Sequence, residues 1–136
     1  MKVSKVIRQV LVLLLGSSGI GLQAAEVVDL RMWRAPDHTR LVLDLSDAVE
    51  YGSFLLEDPH RFVVDIKSSF TDLSFNGLDF SDSPISGIRS GVRNGDSLRI
   101  VLDLTSAVEP ETFSLAPNSG FGERLVLDLY DKTGSQ

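Results

Sequence analysis

The chain is 136 residues long, carries 13 Lys and Arg against 19 Asp and Glu, and contains no cysteine. A net charge of -6 without a basic run repels an anionic duplex, so no nucleic-acid partner is expected. Without cysteines an exported domain of this size rests on apolar burial rather than on a disulfide framework.

Residues 1–25 read as a cleavable signal peptide. Lys2, Lys5 and Arg8 form a positive head, Val10 to Leu15 an apolar run, and Leu22-Gln-Ala-Ala25 a small-residue cleavage site after Ala24 or Ala25. The run is too short for a membrane span, which needs about 20 residues, so no span is expected after cleavage. Gly16, Gly19 and Gly21 resemble a dinucleotide-binding turn, but Leu15 stands where that motif needs its first glycine. No amphipathic helix follows Gly21, and neither Tyr51 nor Tyr130 has a lysine four residues on. Removing the leader shifts the net charge to about -9 and leaves one domain over residues 26–130.

One six-residue pattern then returns four times: Arg40-Leu-Val-Leu-Asp-Leu45, Arg61-Phe-Val-Val-Asp-Ile66, Arg99-Ile-Val-Leu-Asp-Leu104 and Arg124-Leu-Val-Leu-Asp-Leu129. Each reads as a strand, with Arg, Val and Asp on one face and three apolar residues on the other. The predicted core is therefore Leu41, Leu43, Leu45, Phe62, Val64, Ile66, Ile100, Leu102, Leu104, Leu125, Leu127 and Leu129. Burying each is worth roughly 1.5 to 3 kcal/mol.

The remaining elements fall between these strands. Val28 to Arg31 leads through the Ala35-Pro-Asp-His38 turn into the Arg40 strand, and Ile85 to Arg89 leads through the Arg93-Asn-Gly-Asp96 turn into the Arg99 strand. Weaker strands, Tyr51 to Leu56 and Glu111 to Leu115, precede the Arg61 and Arg124 strands. Ser68 to Pro84 is a connecting loop whose Phe70, Phe75 and Phe80 are placed to tuck against an open end. Residues 131–136 begin a flexible linker. The expected fold is all-β, a symmetric sandwich of two small antiparallel sheets made from two similar halves.

Catalytic signatures are missing. The two histidines, His38 and His60, both sit in predicted turns and do not make a metal site. Ser90 stands one place late for a nucleophile elbow in Gly87-Ile-Arg-Ser-Gly91. No cofactor is expected in this chain. The outward arginines and aspartates pair across neighbouring strands, and such guanidinium groups can also dock on a polymer through bidentate hydrogen bonds. In Arg31-Met-Trp-Arg34, outward Arg31 and Trp33 offer a stacking surface if Leu30 and Met32 face the core; the counterpart of Trp33 in the second half is Gly91.

Taken together, Arg31-Met-Trp-Arg-Ala-Pro-Asp-His-Thr-Arg-Leu-Val-Leu-Asp-Leu45, His60-Arg-Phe-Val-Val-Asp65, Leu98-Arg-Ile-Val-Leu-Asp-Leu104 and Arg124-Leu-Val-Leu-Asp-Leu129 resemble the AMIN domain. That family stands at the N-terminus of periplasmic N-acetylmuramoyl-L-alanine amidases of cell division, and also in type IV pilus secretins. The resemblance implies a periplasmic module that binds peptidoglycan and carries its parent to the division site. The catalytic zinc would belong to a separate domain of that parent. It directs attention to Arg31, Trp33, Arg40, Arg61, Arg89, Arg99 and Arg124 as peptidoglycan contacts. The alternative is an anchoring module of a secretin that recruits division-site or other envelope proteins.

Overall fold

The computed structural model describes residues 24–132, so the expected leader and linker lie outside the described residues except at their inner ends. The strands are β1 (Ala25–Arg34), β2 (His38–Leu45), β3 (Tyr51–Leu56), β4 (Arg61–Ile66), β5 (Ser69–Thr71), β6 (Ile85–Arg93), β7 (Ser97–Leu104), β8 (Val108–Leu115) and β9 (Glu123–Asp131). They form a five-stranded sheet, ordered β5-β1-β2-β9-β8, and a four-stranded sheet, ordered β3-β4-β7-β6.

The halves do not form one sheet each. Hairpin β1-β2 of the first half joins β8-β9 of the second, while β3-β4 joins β6-β7. The pseudo-twofold relation survives, because exchanging β1 with β6, β2 with β7, β3 with β8 and β4 with β9 turns the order β1-β2-β9-β8 into β6-β7-β4-β3. The repeated strands occupy the centres, β2 against β9 and β4 against β7, both antiparallel.

Register follows from the pattern. Val42 lies opposite Val126 and Val63 opposite Val101, which puts Arg40 opposite Asp128, Asp44 opposite Arg124, Arg61 opposite Asp103 and Asp65 opposite Arg99. The inner residues then meet across the sandwich, and all twelve predicted core residues are buried in one cluster. Val27, Ile85, Leu98 and Val108 extend it. Leu30 and Met32 pack against it as expected. A slip by one residue would carry the leucines to water.

Turns and loops close the ends of the sandwich. Asn94 and Gly95 both have positive φ, 55° and 83°, as a tight two-residue hairpin requires. The connecting loop contributes β5, which pairs parallel to the start of β1 and has no equivalent in the other sheet. Phe75 is buried and Phe80 packs against the core, whereas Phe70 stays exposed on β5. At the other margin the Tyr51 hydroxyl donates to Thr112 Oγ1 at 3.1 Å, tying β3 to β8 across the two sheets.

This interchange means that neither half can complete a sheet alone, and an isolated hairpin is marginal in water. Separate peptides covering residues 25–83 and 84–132 are expected to be unfolded as monomers, and an equimolar mixture to recover the dispersed NMR spectrum of the intact domain. A folded monomer of either peptide would contradict the topology.

Candidate functional site

The pleat assigns Arg31 and Trp33 of β1, Arg40, Val42 and Asp44 of β2, and Arg124, Val126 and Asp128 of β9 to the outer face of the five-stranded sheet. Arg89 and Gly91 of β6, Arg99, Val101 and Asp103 of β7, and Arg61, Val63 and Asp65 of β4 hold the matching places on the four-stranded sheet. The seven residues singled out from the sequence are thus divided between two opposite faces rather than gathered in one cleft.

Four of the six arginines singled out from the sequence are tied to aspartates by two bonds each. Arg40 holds Asp128 at 2.7 and 2.7 Å, and Arg99 holds Asp65 at 2.7 and 2.7 Å, both directly across the central strand pair as expected. The other two aspartates take arginines from the outer neighbours instead. Arg31 of β1 holds Asp44 at 2.8 and 2.9 Å, and Arg89 of β6 holds Asp103 at 2.8 and 2.8 Å. Arg124 and Arg61, displaced from those aspartates, donate to backbone carbonyls: Arg124 to Gly122 and Ala116, Arg61 to Pro59 and Glu57.

Throughout, the donors are Nε and Nη2. Nη1 of all six arginines has no hydrogen-bond partner among the described residues. A guanidinium has five N–H donors, so each retains two on that nitrogen. The paired carboxylates cancel much of the charge while leaving directional donors.

Aromatic rings flank these groups. Arg40 lies over Phe113 at 5.7 Å and Arg99 over Phe54 at 5.5 Å, the two rings being equivalent under the pseudo-symmetry. Phe121 sits under both Arg31 and Arg124, at 5.5 and 4.9 Å, and has no aromatic counterpart on the other sheet. Trp33 is 47% exposed, opposite Arg40.

The faces therefore differ in relief. Beside Trp33 and Phe121, Val42 is only 4% exposed, whereas its equivalent Val101 is half-buried and lines an open cavity of about 250 Å³ on the four-stranded sheet. Gly91 and Gly52 stand where the other face has Trp33 and Glu111, and a Cβ at either glycine would meet nothing within 4 Å. Arg93 stands at the cavity's rim; in the sequence it reads only as part of a turn, with Gly91 two residues before it as the available signal.

A family model described as the AMIN domain matches residues 29–129. N-acetylmuramoyl-L-alanine amidase AmiC of Escherichia coli O6:H1 is 37% identical over 122 residues, which is 86% of this chain and 29% of that protein. The protein of the same name from Neisseria meningitidis serogroup B is 35% identical over 113 residues, 80% of this chain and 27% of its own length. The chain spans less than a third of the length of these curated relatives.

The pairs also set the response to acid. Hydrogen bonds from Arg99 and Arg89 hold the Asp65 and Asp103 carboxyls below the ordinary aspartate value near 3.8. Their contribution is complete above that unfolded value and is lost as pH falls through the lowered folded values. Thermal unfolding followed by circular dichroism is expected to weaken below about pH 4, and less steeply in Asp65→Asn. An unchanged profile in that variant would contradict the pairing. Asp128 is only 2% exposed, so Arg40→Ala, which leaves that carboxylate buried without its partner, is expected to cost about 3 to 5 kcal/mol in urea unfolding. Asp103→Ala, at a more open pair, should cost about 1 kcal/mol or less.

Proposed function

Because the chain belongs to the AMIN domain family, we propose that it is the peptidoglycan-binding and septal-targeting part of a periplasmic N-acetylmuramoyl-L-alanine amidase. Amide hydrolysis, in this reading, is carried by a separate zinc domain of the parent, in keeping with the short share of the relatives' length that this chain covers. The described residues do not fit that metal. No three His, Cys, Asp or Glu side chains among them converge, and Asp44, Asp65, Asp103 and Asp128 are each closed by a guanidinium.

The observation that carries the reading is the repeated free Nη1. Arg31, Arg40, Arg61, Arg89, Arg99 and Arg124 are held by Nε and Nη2 and keep a fixed pair of donors for carboxylates, amide carbonyls and sugar hydroxyls. Trp33 adds an exposed indole on which a sugar ring can stack. Individual contacts of this kind are weak. A polymer that repeats its groups on both faces supplies avidity.

Co-sedimentation of residues 25–136 with insoluble sacculi tests the reading. The domain is expected to pellet, and Trp33→Ala or Arg89→Gln to reduce the bound fraction about threefold, with Arg89→Gln costing no more than the roughly 1 kcal/mol of its open ion pair. Arg40→Ala is not a clean variant, because it leaves Asp128 buried without its partner. Failure of the unaltered domain to pellet would end the peptidoglycan assignment.

A further inference from the structure

The two outer faces share a scaffold, so each serves as a control for the other. At one place they diverge sharply. On the five-stranded sheet, Trp33 occupies the position beside Arg40 and is followed two residues on by Ala35. On the four-stranded sheet the same positions hold Gly91 and Arg93, so an indole is removed and a cation added. The result is the cavity of about 250 Å³, with Val101 as its floor and Arg89, Arg93 and Arg99 around it.

The charges there do not balance. Arg89 and Arg99 are each closed by a carboxylate, Asp103 and Asp65, whereas Arg93 has no carboxylate partner among the described residues. One positive charge is left over, beside free Nη1 donors of Arg89 and Arg99. Val101, half-buried, is the apolar side chain of the cavity floor beneath this cationic rim. A carboxylate with a short aliphatic substituent matches that combination of an unmatched cation and an apolar floor. Strand β6 is the edge of its sheet, so an extended peptide can run beside it and end at the cavity.

Resting on the peptidoglycan assignment above, we propose that this cavity is a carboxylate subsite that takes the C-terminal alanine of an uncross-linked stem peptide, with Arg93 as its selecting charge. Cross-linking converts that carboxylate into an amide, so the subsite favours strands whose peptides end free. The opposite face, filled by Trp33, has no such preference.

The test is an NMR titration of the ¹⁵N-labelled domain, residues 25–136, with a soluble disaccharide-tetrapeptide and with the same molecule carrying a C-terminal alanine amide. The free acid is expected to shift the Gly91 and Arg93 amides and to bind at least about fivefold more tightly than the amide. Arg93→Gln is expected to remove that difference, and Gly91→Trp to block the shifts. Arg93 is exposed beside a turn, so Arg93→Gln leaves the core untouched. Equal affinity for acid and amide, or an unaltered preference in Arg93→Gln, would overturn the subsite. Sacculus pelleting run in parallel separates the two assignments: pelleting without acid preference defeats only the subsite, whereas no pelleting defeats both.

Discussion

Two strands of the form Arg-x-Val-x-Asp, paired antiparallel with valine opposite valine, place arginine opposite aspartate at both ends. The chain does this twice, at Val42 with Val126 and at Val63 with Val101, and each pairing joins a strand of the first half to one of the second. Sliding either pair by one residue would expose the leucines beneath and set the charges facing inward. Apolar burial supplies the stability, and the charge pattern fixes the register at little net energetic cost, since exposed pairs contribute roughly 0 to 1 kcal/mol. Both central pairs reach across the chain's midpoint, and the halves are interchanged between the sheets.

From that register comes an outer surface of unusual character. Arginines are abundant there, yet their charge is largely matched by aspartates on the same face, and the chain as a whole is acidic. What remains is a lattice of oriented N–H donors with interleaved aromatic rings. Such a surface recognises hydrogen-bond acceptors by geometry more than by attraction at a distance. Symmetry then allows specialisation, since Trp33 and Phe121 build up one face while Gly52 and Gly91 leave the other open.

Much of the fold is legible in the sequence because the dominant signal has period two and repeats. The twelve inner residues, the Asn94-Gly95 turn and the outward pointing of Trp33 all follow from alternation and turn chemistry. The pairing of hairpins does not, for every one of the four repeats presents the same edge pattern and the sequence ranks no partner above another. The ion pairs are half legible: Arg40 with Asp128 and Arg99 with Asp65 follow from register, but Arg31 and Arg89, reaching diagonally, displace Arg124 and Arg61 from the aspartates directly opposite them, a choice made by side-chain reach and by nearby carbonyls. The cavity beside Arg93 needs both faces in view, because it is defined by a missing side chain at Gly91 and an uncovered Val101.

Binding by oriented donors on a nearly neutral surface differs from adhesion by charge in its response to salt. The most direct measurement is the affinity of the domain for purified sacculi between about 0.05 and 0.5 M NaCl, where screening of exposed charges changes strongly. If paired guanidinium groups bind by geometry, with one excess charge at Arg93, affinity should fall by no more than about tenfold over that range. A collapse of binding at moderate salt would contradict directional recognition and point to bulk electrostatic attraction instead.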